Sequence, residues 1–199
     1  MHRLFFLPGA GADPGFWRPV GERLPAAWDK RYFGWPGLGR QPPAPHVRRF
    51  DDLVDLVESE LDGGPVDLLA QSMGGSVALK LALRRPEAIR RIVLNVASGG
   101  IDVASLGGED WRPAYRQTFP DALGYILEER EDLTARLPSI ACPVLLLWGD
   151  ADPISPVAVG ERLNALLPNA RLVVLPGGTH DMAQDLAPEI ARLVEAHLA

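Results

Sequence analysis

Three short stretches of this chain carry side chains that could transfer an acyl group if the fold brought them together. In LLAQSMGGSVAL, Leu68 to Leu79, a lone polar Ser72 stands between an apolar run and a glycine pair. A serine hydroxyl is a weak nucleophile until a base takes its proton and an acid holds that base. The chain offers four histidines: His2 near the start, His46 in a proline-rich loop, His197 in a final helical turn, and His180 in LPGGTHD. Only His180 lies in a glycine-rich loop behind the last apolar run. Ahead of it, LLLWGDADPISP supplies Asp150 and Asp152. Either could orient the histidine, with the other bracing the loop, because Asp before proline-rich segments is common turn chemistry. The bland alternatives are an N-cap hydroxyl for Ser72 and a backbone-bonded turn residue for His180.

Whether these groups meet depends on the elements that carry them. The runs Arg3–Leu7, Arg31–Trp35, Val66–Ala70, Ile89–Val96, Pro143–Trp148 and Arg171–Leu175 are short and apolar, several almost continuously so, as in strands buried on both faces. Between most of them lie segments of helical spacing, such as Leu53, Val54, Val57 and Leu61. Asp13 before Pro14, and Ala187 before Pro188, mark helix starts. Alternating strands and helices predict an α/β fold: a mostly parallel sheet of about six strands with helices on both faces. Loops at the carboxyl ends of such strands carry function. Ser72 then occupies a strand-to-helix turn, and Ala70, Gly74 and Gly75 give that turn room. The turn also aims the N–H of Met73 toward the serine, at a helix start where donors are unpaired.

From about residue 98 to 138 no strand is predicted, and Trp111, Tyr115 and Phe119 recur at helical spacing. This segment reads as a helical insertion in a single domain spanning residues 1–199. Composition narrows the partners. With 20 Lys and Arg against 26 Asp and Glu, the net charge is -6, which offers no basic footprint for nucleic acid or an anionic membrane. The single Cys142 can form neither an internal disulfide nor a thiolate cluster. No apolar run is long enough to span a bilayer, and the opening MHRLFFLPGA makes a poor leader, so a cytoplasmic protein is expected. Oligomeric state is not legible.

On these residues the chain resembles the α/β-hydrolase family, most closely its small serine esterases with a short helical cap. The family's Gly-x-Ser-x-Gly elbow stands here as AQSMG, Ala70 to Gly74, with alanine at the first glycine. Its acid loop resembles GDADPISP, which implies Asp152 as the catalytic acid, and its histidine loop implies His180. After the first strand the family carries His-Gly-x-x; here PGAG has Pro8 for the histidine and implies Ala10, with Met73, as the oxyanion N–H donors. Trp17 and PGLGR, Pro36 to Arg40, also fit, although Gly34 replaces a common aspartate and Gln41 a common serine.

The resemblance implies ester hydrolysis through an acyl-enzyme on Ser72, His180 and Asp152, with no metal and no organic cofactor. The insertion's aromatic residues Trp111, Tyr115 and Phe119, at a spacing more often used for core packing, are read with Leu123 and Ile126 as candidates for one apolar wall over Ser72, in a pocket for a small-molecule ester that would favour short acyl chains of roughly C2 to C6. Arg112 and Arg116 nearby leave a thioester, or another triad-dependent acyl or carbon–carbon cleavage, as the alternative. Two rivals stand further off. FFLPGAGADPG resembles the start of a dinucleotide fingerprint, but Pro14 occupies the third glycine position and no acidic residue closes the second strand. A hydrolase-like binding protein without catalysis is the other.

Overall fold

A computed structural model describes residues 2–122, 124, 128 and 131–199. Six parallel strands, β1 (Arg3–Leu7), β2 (Asp29–Tyr32), β3 (Val66–Gln71), β4 (Ile89–Asn95), β5 (Val144–Gly149) and β6 (Ala170–Leu175), form one sheet in the order β2-β1-β3-β4-β5-β6. The helices are α1 (Arg18–Gly21), α2 (Phe50–Glu58), α3 (Met73–Arg84), α4 (Arg112–Thr118), α5 (Val157–Leu166), α6 (Met182–Asp185) and α7 (Ala187–Leu198). Every residue of β3 and β5 is buried, as a central parallel strand covered by helices on both faces requires. Helix α3 packs on β1, β3 and β4 and against α2, while α1 packs against α7. Among the described residues no helix is long and apolar enough to cross a membrane.

Two local expectations need correction. The second strand runs over Asp29–Tyr32 and not Arg31–Trp35. Arg31 and Tyr32 pair with Phe5 and Phe6 of β1, but past the strand Trp35 is fully buried with its indole N–H donating to Pro8 O at 2.9 Å, so the end of the apolar run records burial under a loop and not ladder pairing. Asp13 and Pro14 do not start a helix: the Asp13 carboxylate accepts the Gly15 N–H at 2.7 Å in a turn, and α1 begins only at Arg18. By contrast, α7 begins at Ala187 with Pro188 in its first turn, where the missing proline N–H costs nothing.

The strand order fixes where a site can form. From β1 the chain passes to β2 on one side, whereas β3 to β6 build outward on the other. The loops leaving β1 and β3 therefore diverge over adjacent carboxyl ends, which opens a crevice. Between β4 and β5 lie single turns at Ala104–Leu106 and Leu137–Ser139 with α4 between them. Leu123 and Ile126, expected to line a pocket, fall outside the described residues.

Candidate active site

Ser72 leaves β3 with φ 52° and ψ -122°, a backbone conformation that side-chain-bearing residues rarely adopt. The strain is held from several sides. The Ser72 N–H donates to Asn95 O at 3.2 Å, and its carbonyl accepts the N–H groups of Gly75 at 3.0 Å and Ser98 at 3.3 Å. Gly74 permits the turn, since a Cβ there would come within 2.5 Å of Pro8 O and 2.6 Å of Leu7 O. The loop after β1 is thus pressed against the start of α3, and two indoles hold it: Trp17 donates to Leu7 O at 3.1 Å and Trp35 to Pro8 O.

Ser72 makes no capping hydrogen bond to its helix. Its Oγ lies 3.0 Å from His180 Nε2, and His180 Nδ1 lies 2.8 Å from Asp152 Oδ2. The Asp152 side chain is fully buried, and its second oxygen accepts the N–H groups of Ile154 at 2.8 Å and Ser155 at 3.2 Å. These donors fix the orientation of the carboxylate. Asp150 stands elsewhere, exposed, accepting the Gly177 N–H at 2.6 Å. Among the described residues the N–H groups of Ala10 and Met73 have no hydrogen-bond partner.

A cavity of about 650 Å³ opens beside Ser72, Met73 and His180. Its wall differs from the apolar one expected. Val96, Ile101, Val103, Trp111, Leu133 and Ile154 supply apolar surface, but Ser76, Ser98 and Lys80 line it too. Trp111 is the one member of the expected aromatic trio in this wall. Tyr115 is buried behind it, edge-on to Trp111, and its hydroxyl accepts the Gly39 N–H at 2.9 Å; Phe119 packs on Tyr115 at 5.0 Å. Helical spacing alone could not tell a wall from the packing beneath it. Arg112 lines the cavity in an ion pair with Asp110 at 2.8 Å, while Arg116 is exposed and outside it.

The sequence profile described as the Alpha/beta hydrolase family matches residues 4–130. The chain belongs to the alpha/beta hydrolase family. A second profile, described as TAP-like protein, matches residues 127–199. The pimeloyl-[acyl-carrier protein] methyl ester esterase of Neisseria meningitidis is 30% identical over 226 residues, covering 90% of this chain and 86% of that protein. Serine hydrolase BPHL of Mus musculus is 29% identical over 234 residues, covering 99% and 79%. Among solved structures, carboxylesterase CesB from Bacillus subtilis superposes with a TM-score of 0.79 at 18% identity, covering 100% of this chain and 84% of that one. The meta-cleavage product hydrolase of Pseudomonas fluorescens gives 0.78 at 18% identity, covering 100% and 90%. Hydrolysis is the coarse activity that the relatives in sequence support.

In this alpha/beta hydrolase several supporting groups had escaped the sequence reading. Buried Gln71 donates from Nε2 to His180 O at 3.3 Å and so braces the histidine loop from β3. Ser155 accepts the Trp148 indole N–H at 3.2 Å while donating to Ala97 O at 3.3 Å, which fixes the loop that carries Asp152. Lys80 is only 8% exposed, ion-paired to Asp51 at 2.5 Å and to Glu131. Ser76 and Lys80 are polar outliers on a helix otherwise apolar before its terminal Arg84, four and eight residues beyond Ser72. Cys142 offers no rival nucleophile, since burial pushes its thiol up to about 11. No group of His, Cys, Asp and Glu able to hold a metal occurs among the described residues.

Proposed function

We propose that this chain is a serine hydrolase that cleaves a carboxylic ester through an acyl-enzyme. The observation that carries the reading is the hydrogen-bonded series Ser72 Oγ, His180 Nε2, His180 Nδ1, Asp152 Oδ2 at 3.0 and 2.8 Å. As Ser72 attacks the ester carbonyl, His180 takes the hydroxyl proton and Asp152 stabilises the resulting imidazolium. The N–H groups of Met73 and Ala10 receive the developing oxyanion, one at the start of α3 and the other on the loop pressed against it. His180 then returns the proton to the departing alcohol, and a water repeats the sequence in reverse to free the acid. No step calls on a cofactor or on a nucleophile beyond Ser72 and the water that frees the acid.

The cavity supports a neutral ester over an anionic thioester. Asp51, Asp102, Glu109, Asp110, Glu131 and Asp132 line it against Lys80 and Arg112, and both cations are already ion-paired. An excess of carboxylates repels a phosphate-bearing carrier from the cavity itself. The Neisseria relative acts on a methyl ester by its name, and a small alcohol of that kind leaves the cavity to the acyl part. At about 650 Å³ the cavity exceeds what the short chains expected from sequence would fill, so medium-length acyl groups fit this reading better.

Incubation with a fluorophosphonate, followed by peptide mass mapping, tests the reading. A single adduct on Ser72, lost in Ser72→Ala and accompanied by hydrolysis of methyl and p-nitrophenyl esters, is the expected result. An unlabelled Ser72, or equal ester hydrolysis by the Ser72→Ala protein, would overturn it.

A further inference from the structure

The cavity contains a polar feature that ester hydrolysis itself does not use. Ser76 Oγ and Ser98 Oγ lie 2.9 Å apart, and both line the cavity that holds Ser72 and His180. Ser76 sits one turn beyond Ser72 on α3, and Ser98 follows β4, its N–H donating to Ser72 O. A helical serine can return its hydroxyl to the carbonyl four residues back. Here that carbonyl, of Ser72, already accepts two N–H groups, and the Ser76 hydroxyl turns to Ser98.

Among the described residues neither hydroxyl has another hydrogen-bond partner. A serine hydroxyl supplies one donor and two acceptor lone pairs. Once one of the pair has donated to the other, one O–H and three lone pairs remain to be satisfied. Both residues are half-buried, so an alkyl chain laid over them would strand those groups, at a cost comparable to a lost hydrogen bond. A hydroxyl or carbonyl oxygen in the ligand would satisfy them. The pair carries no charge, so its preference is for a neutral oxygen function.

We propose that Ser76 and Ser98 form a specificity subsite for a hydroxyl or oxo group on the acyl chain of the substrate. One helical turn places Ser76 about 6 Å along α3 from Ser72. An extended acyl chain covers that distance in about five bonds, which puts the recognised oxygen on C5 when the ester carbonyl is C1. The proposal rests on the ester-hydrolase reading for which half of the substrate fills the cavity.

The test is a matched pair, methyl 5-hydroxyhexanoate and methyl 5-methylhexanoate, which differ by hydroxyl against methyl. The ratio of their kcat/KM values is measured for the wild-type protein, Ser76→Ala, Ser98→Ala and the double variant. One neutral hydrogen bond is worth up to roughly tenfold, so the hydroxy ester should lead by about that factor in the wild type. The lead should shrink in each single variant and vanish in the double. Binding of the same two esters to the Ser72→Ala protein, with and without the two further alanines, is measured by calorimetry and needs no turnover. Absence of ester hydrolysis with the binding preference intact would defeat the ester reading and leave the subsite standing. A wild-type ratio near one in both assays, or a preference that survives the double variant, would overturn the subsite.

Discussion

His180 Nδ1 meets Asp152 at 2.8 Å, whereas the Asp150 carboxylate, two residues earlier on the same loop, accepts the Gly177 N–H at 2.6 Å. Two aspartates equivalent by composition are thereby given separate work. Asp152→Asn should present an amide donor to Nδ1, force the wrong imidazole tautomer and lower kcat by roughly 10³ to 10⁴. Asp150→Asn should lower stability by about 1 kcal/mol and leave turnover within a factor of a few. Steady-state kinetics and urea unfolding on both variants decide it, and reversed effects would exchange the roles.

Ser72 pairs a chemical group with a strained backbone, and the two are separable. Under the proposed mechanism, Ser72→Ala and Ser72→Gly should both lose roughly 10⁴-fold or more in kcat, since the members of a catalytic triad act as a unit. At φ 52° and ψ -122° alanine keeps the strain, while glycine relieves it. The glycine variant should therefore be the more stable of the two by about 1 kcal/mol. Thermal unfolding of the pair checks this, and an alanine variant equal or superior in stability would refute the strain.

Much of this arrangement was legible in the sequence because it depends on neighbours along the chain. The turn at Ser72 is announced by small residues around it, and the strands β3 and β5 by apolar runs too short for helices. Residue type alone does not separate Asp152 from Asp150; the resemblance of GDADPISP to the family's acid loop implies Asp152, and the loop geometry sets its carboxylate, not that of Asp150, beside His180. The polar wall was missed for a different reason. Ser98 is unremarkable in its own segment, and it matters because β4 delivers it beside a serine 22 residues earlier. Tyr115 had two readings, because an aromatic at helical spacing can face the cavity or the packing, and sequence carries no signal for which.

Gly74 and Gly11 flank the same crevice with different constraints. A Cβ at Gly74 would meet two backbone carbonyls, at 2.5 and 2.6 Å, which cannot step aside without moving β1. Gly74→Ala should lower stability by about 1–3 kcal/mol, against alanine's usual advantage in a helix. Nothing lies within 4 Å of a Cβ at Gly11, so Gly11→Ala should change stability by less than about 0.5 kcal/mol. Denaturant midpoints for the two variants measure the contrast, and equal losses would show that the close packing of the loop on α3 is misassigned.

Trp111 and Tyr115 touch each other but only Trp111 reaches the cavity. Trp111→Ala should enlarge the cavity and shift the kcat/KM optimum toward longer acyl chains. Tyr115→Phe removes the acceptor for the Gly39 N–H and should cost about 1 kcal/mol of stability without moving that optimum. A series of p-nitrophenyl esters of increasing chain length reads both. An altered profile in Tyr115→Phe would return that residue to the substrate wall.

Lys80 joins α3 to Asp51 of α2 and to Glu131, in the segment between β4 and β5, with its ammonium 5.6 Å from the Phe50 ring. Burial pulls the Lys80 pKa down, but its hydrogen bonds and charge contacts with both carboxylates outweigh that and raise it. Burial likewise pushes Asp51 up, and the hydrogen bond and charge of Lys80, with Arg84 and Arg49, hold it below the ordinary carboxylate value. A lowered carboxylate contributes stability that is present above its unfolded pKa and lost as pH falls through the folded one. A raised lysine contributes stability that is present below its unfolded pKa and lost as pH rises through the folded one. The cluster should thus stabilise fully between about pH 5 and 9 and fade on either side. In Lys80→Met the two carboxylates lose their shared cation, which should cost about 1–3 kcal/mol at pH 7. That difference should narrow as pH falls through the lowered pKa of Asp51, where its carboxylate protonates and no longer needs the cation. Urea midpoints for the wild type and Lys80→Met at pH 3, 5 and 7 test it, and a difference that stays constant across the three would rule out the ion pairs as its source.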